Sequence, residues 1–292
     1  MRFFTLILLA LSTIATAENP VALMHVHGLA YSPDGKRLMI PSHHGLAVYE
    51  NGRWSKAPGP EHDYMGFAAT AQGVYSSGHP APGSGLINPF GLIRSRNGGK
   101  TWDKLGLEGE SDFHLLATGW NTNAVYVWNS SANSRMREPG LHYTVNDGLA
   151  WKSAPGEGLD GQSQALAVHP DDAAIVAVAT SSGVYLSRDH GERFAPLAKA
   201  QAVSVFFDLD GKQLWFGTFD GGARLSRAPL AGGAASEVKL PPLRDDAVAY
   251  IAQNPRQRKL YAIATFSRSV FLSKDAGSTW TPIAERGIGS VN

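Results

Sequence analysis

The sequence predicts an all-β chain, six copies of a four-stranded unit arranged as the blades of a six-bladed β-propeller. Three observations predict it. A turn motif recurs at near-constant spacing, pairs of strand-like runs precede each copy, and the composition is rich in glycine (32 residues) and aromatics (10%). That composition suits many short strands joined by tight turns. Seven blades would require a split unit or a borrowed terminal strand.

The first 17 residues, MRFFTLILLALSTIATA, carry one arginine, an apolar run and the small-residue pattern Ala15-Thr16-Ala17. They are expected to be a secretory signal peptide cleaved before Glu18, leaving 18–292 as a single propeller domain, exported to the periplasm or the extracellular space. The apolar run is too short for a spanning helix, and no later stretch reaches that length. The chain has no cysteine, which excludes disulfides and thiolate ligands, so a metal site has to be built from His, Met, Asp, Glu or backbone oxygen. Basic and acidic residues number 26 and 25. Without a basic patch, nucleic acid is not an expected partner.

Four segments match one another: SRNGGKTW (95–102), TVNDGLAW (144–151), SRDHGERF (187–194) and SKDAGSTW (273–280). Their starts lie 49, 43 and 86 residues apart, and the double interval holds a degenerate copy, GARLSRAPL at 222–230. A sixth, GLAVYENGRW at 45–54, keeps a strand, a turn at Asn51-Gly52 and Trp54. In each full copy the pattern is Ser/Thr-x-Asp/Asn-x-Gly-x-x-aromatic: Ser95, Asn97, Gly99, Trp102; Thr144, Asn146, Gly148, Trp151; Ser187, Asp189, Gly191, Phe194; Ser273, Asp275, Gly277, Trp280. Such a pattern makes a hairpin turn in which glycine takes φ > 0 and the short polar side chains bond nearby amides. The aromatic is expected to pack between sheets.

Upstream of the turns, HGLAYSP, MGFAATA, HLLATGW, ALAVHPD, VSVFFDL and VAYIAQN read as first strands. Each is followed by a second, KRLMIPS, GVYSSG, AVYVWN, AIVAVAT, QLWFGTF or KLYAIAT. With the two strands flanking each turn, six units fill 24–285, and the loops after Gly78 and Asn129 are insertions in blades two and three.

The turn motif resembles the Asp-box of the sialidase-like, BNR-repeat β-propellers, with Asn97 and Asn146 in place of aspartate and Phe194 in place of tryptophan. The resemblance implies that the boxes are structural and lie away from the active face. It also raises glycoside hydrolysis of sialidase type. Sialidases need an arginine cluster, a tyrosine nucleophile with a glutamate partner, and an acid/base aspartate. This chain has no Arg-Ile-Pro segment before its boxes and no three arginines at equivalent blade positions. Arg268 and Asp220 fall near the channel, and Asp63 and Asp112, on adjacent blades, make the best acid/base pair. Other propellers of the family bind proteins or peptides on one face, for which Trp120, Trp128 and Phe219 are available.

First strands of a propeller line its central channel. Aligning them on their apolar core puts His27, Met65, His114, Gln164, Val203 and Val248 in one column and His25, Asp63, Asp112, Gln162, Gln201 and Asp246 two residues earlier. Side chains two apart share a side of a strand. His27, Met65 and His114 are thus expected to converge at the channel mouth, with His43, His44 and His79 from the loops after the second strands. Of ten histidines, seven (these, His25 and His62) map to one face of the first three blades, whereas His142, His169 and His190 scatter. Imidazole with thioether suits copper, and imidazole with carboxylate suits zinc, nickel or copper(II). The expectation is a copper-binding site, with zinc or nickel as alternatives, serving metal handling or resistance. Asp63, Asp112 and Asp246 would orient the imidazoles or, in the hydrolase alternative, act as acid and base. A glycan or protein on the propeller face is the other expected partner.

Overall fold

The computed structural model describes residues 21–289, and the expected signal peptide lies outside them. Six small antiparallel sheets form a ring, a six-bladed β-propeller. The blades span 30–56, 63–106, 116–154, 163–198, 202–238 and 248–289. Each is a four-stranded meander in sequence order, and the sixth carries one additional strand, Ile288–Gly289. Among the described residues no helix is long and apolar enough to cross a membrane.

The first strands form the inner ring. Asp63–Thr70 packs against Leu116–Thr118, which packs against Ser163–Val168, and so on through Ala202–Phe207 and Val248–Gln253 back to Ala30–Tyr31. Six apolar clusters, each spanning an interface between neighbouring blades or the heart of one, bury their aliphatic and aromatic side chains. At roughly 25 cal/mol per Å² of apolar surface, this burial is the main term opposing chain entropy.

The four repeated turns share one hydrogen-bond pattern. The hydroxyl of Ser95, Thr144, Ser187 or Ser273 accepts the N–H of the box glycine at 2.8–3.0 Å. The Asn or Asp side chain accepts the N–H four residues on, at 2.8–3.0 Å. Two successive residues are left-handed in each, for example Asp147 at φ 57° and Gly148 at φ 75°. The aromatics of the turns pack in the interfaces between blades: Trp102 stacks on Tyr64 of its own blade, with ring centroids 4.8 Å apart, within the apolar cluster shared with blade one, and Trp280 of blade six donates its indole N–H to the carbonyl of Lys239, just after blade five, at 2.9 Å. Trp54 serves the same purpose in blade one, donating its indole N–H to the carbonyl of Ile283 in blade six at 2.6 Å.

Ring closure was not foreseen in the sequence. Residues 21–23 run beside the extra strand of blade six, with Ala22 bridging Ile288 and the N–H of Leu23 donating to the carbonyl of Gly287 at 2.7 Å. The start and end of the described chain are therefore stitched together on one blade.

Candidate metal centre at the channel mouth

The inner edges of the blades enclose a cavity of about 220 Å³ along the propeller axis. His27, His114, Gln164 and Phe266 line one end, and Trp120, Pro170, Leu209 and Gln253 lie toward the other. The box turns fall away from the His-bearing end, as hairpins between third and fourth strands must.

Three imidazoles converge at that end. His25 and His27 sit in the extended run before the first strand of blade one, where alternate residues face the same side. Their rings are parallel within 5°, with centroids 5.7 Å apart. The run is anchored by the N–H of His27 donating to the carbonyl of Pro41 at 3.2 Å. His43, in the turn after the second strand of that blade, brings its ring to 4.1 Å from His25 and 5.0 Å from His27. One ligand nitrogen from each of the three falls within 4.8 Å of the others.

The three rings differ in their surroundings. Nε2 of His27 is buried with no hydrogen-bond partner. Burial lowers the His27 pKa to about 4, outweighing the attraction of Asp63, so its imidazole is neutral throughout the physiological range. His43 points Nδ1 at the carboxylate of Asp63, 3.1 Å away, which leaves Nε2 to face its neighbours. Asp63 opens the first strand of blade two, and its other oxygen is buried and unpaired.

A second group lies on blades two and three. One oxygen of Asp112 faces Nε2 of His114 at 2.7 Å and Nε2 of His79 at 3.0 Å. His79 also meets the side chain of Asn88 through Nδ1 at 2.7 Å. Burial works to raise the Asp112 pKa, but the two imidazoles outweigh it and hold the carboxyl below its usual range. The bond to Asp112 conversely raises His114. This group is a hydrogen-bonded chain, and among the described residues the convergent set of three or more ligands is His25, His27 and His43.

Other candidate residues lie elsewhere. His44 is exposed near Glu61. His62 is buried, packs on Phe90 and accepts the N–H of Ala81 at 2.9 Å, which ties down the blade-two insertion. Met65 lies beside a register irregularity in the first strand of blade two. A β-bulge between Met65 and Ala68 shifts the register, so Met65 is buried opposite Ser77 while Gly66 and Phe67 line the cavity. A bulge puts two residues against one, so an ungapped alignment of the first strands does not anticipate it. The same irregularity between Val248 and Tyr250 brings Ala249 to the cavity and leaves Val248 in a blade interface. Asp246 accepts the N–H groups of Ala247 and Ser267 at 2.9 and 3.0 Å and thereby closes a loop of blade six. His142, His169 and His190 lie away from the mouth; His169 bonds the carbonyl of Gly211 and His190 stacks on Tyr143. Phe266, 61% exposed, was overlooked. Its signal was positional, since it follows the second strand of its blade as His43 does.

No family model and no curated protein matches the chain. Solved structures do match in fold. A GH74 enzyme of Niastella koreensis superposes over 91% of this chain and 47% of its own at a TM-score of 0.61 and 15% identity. An ancestral GH74 enzyme covers 94% and 40% at 0.55 and 13%. This chain thus spans less than half the length of either GH74 enzyme. A structure of YCF48 bound to D1 peptide covers 90% and 83%, at 0.50 and 14%. At such identities the likeness is one of fold, that of the β-propeller.

Proposed function

We propose that this protein binds a divalent transition-metal ion through His25, His27 and His43 and serves in metal handling. The observation that carries the reading is the convergence of three imidazoles around a buried, unpartnered Nε2 of His27. A buried polar atom without a partner is costly, and an ion supplies the partner. Asp63 would fix the tautomer of His43 and raise its basicity, the arrangement usual behind metal-bound histidines. Three protein ligands leave at least one coordination position open. The all-nitrogen donor set suits Cu²⁺, Zn²⁺ and Ni²⁺, and the general order of divalent affinities places Cu²⁺ first. We read the four repeated turns as Asp-boxes with a purely structural role, and the protein as exported.

Glycoside hydrolysis is the second reading, resting on Asp63 and Asp112 at one rim. A glycosidase needs a carboxylic acid of raised pKa. Asp112 is held the other way. Likeness of fold to GH74 enzymes or to peptide-bound YCF48 does not carry their function.

Competition titration of untagged protein with Cu²⁺, Zn²⁺ and Ni²⁺ tests the proposal. One ion per chain is expected, with affinity falling more than a hundredfold in His27→Ala and His43→Ala, ~10-fold to 100-fold in Asp63→Asn, and not at all in His169→Ala. Equal affinity in all variants would overturn it.

A further inference from the structure

His27 belongs to two things at once: it is a member of the imidazole cluster, and it lines the axial cavity. Aliphatic and aromatic side chains, among them Phe67, Leu116, Leu166, Phe206 and Tyr250, make up most of the side chains around the rest of that cavity, alongside a substantial polar lining. Its volume is about 220 Å³. An enclosed apolar cavity of about 150 Å³ accepts benzene. This one is therefore roomy enough for a body of six or seven carbon atoms. His27, His114 and Gln164 are polar side chains that line this cavity at its mouth. A divalent ion held by the three imidazoles would sit beside the cavity at His27, which belongs to both.

We propose that this site takes a small organic monocarboxylate, the carboxylate completing the coordination of the metal beside His27 and the apolar body filling the channel. The inference rests on the metal-binding reading above. It narrows the ligand class in two ways: acetate has the head group without a body, and toluene has the body without a head group. Gln164 would hydrogen-bond the carboxylate oxygen that does not meet the metal. Binding is then expected to strengthen with the size of the apolar body until the cavity is full, because each buried carbon leaves water.

Calorimetric titration with Zn²⁺ comes first, followed by benzoate, hexanoate, acetate and toluene on the Zn²⁺-loaded and metal-free protein. Benzoate and hexanoate are expected to bind the loaded protein more than tenfold more tightly than acetate, and to lose more than tenfold when the metal is removed. In Ala165→Phe, which narrows the cavity, the advantage of benzoate over acetate should vanish while Zn²⁺ affinity stays. Should that variant fail to fold, the comparison of acids on the native chain decides alone. Zn²⁺ binding with benzoate no tighter than acetate overturns this inference and spares the metal site. Benzoate binding that ignores the metal overturns the assigned head-group position. Absence of Zn²⁺, Cu²⁺ and Ni²⁺ binding overturns both readings together.

Discussion

Single side chains in this propeller are tuned by burial in opposite directions. His27 is kept neutral at the mouth, where a neutral imidazole is what a metal requires. Asp208, after the first strand of blade five, is 8% exposed and accepts the hydroxyl of Tyr261 in blade six at 2.7 Å. Burial outweighs that bond and raises its pKa to about 6. The native state then holds this proton more tightly than the unfolded chain, where the carboxyl titrates near its ordinary value of 3.8. Its stabilising contribution is complete below that value and is lost as pH rises through about 6. Chemical denaturation between pH 4 and 8 should therefore show stability declining across that window by about 2 kcal/mol from this group. Asp208→Asn, which keeps an acceptor for Tyr261, should flatten the decline; an unchanged slope would remove Asp208 as its source. None of this was legible in the sequence, because burial of Asp208 depends on a tyrosine 53 residues away.

At the scale of strands and turns, legibility followed locality. The box turns were readable because every bond in them spans two to four residues, so Ser273, Asp275 and Gly277 declare their geometry without knowledge of the rest of the chain. The first strands were readable as apolar runs, but their register was not. Blade two shows why: Gly66 takes φ 45° in the bulge, and a Cβ there would lie 2.0 Å from the carbonyl oxygen of Phe113 in blade three. The glycine is needed because two inner strands approach backbone to backbone. The same irregularity brings Gly66 and Phe67 to the cavity wall, which a strict alternation along the strand does not anticipate. Gly66→Ala is expected to destabilise the fold by about 3 kcal/mol, combining overpacking with an unfavourable φ. Thermal unfolding checks this, and a neutral effect would mean that blades two and three can separate locally at no cost.

Across the whole molecule, the propeller concentrates groups that the sequence holds far apart. His25, His43, Asp63, His79 and His114 come from three blades and meet at one rim because each sits at the same end of its strand. Six blades were countable from the repeat spacing, and the channel face of each first strand followed from that count. The grouping into three convergent imidazoles and a separate His79–Asp112–His114 chain was not countable, since it depends on side-chain directions at loop ends. The first group is proposed to hold an ion. This is tested most directly by anomalous X-ray diffraction, recorded at the copper and zinc absorption edges from crystals grown with each metal. The account predicts one peak per chain, about 2.0–2.1 Å from a nitrogen of each of His25, His27 and His43. A peak at Asp112 instead, or no ordered peak under conditions that saturate the protein in solution, would contradict it.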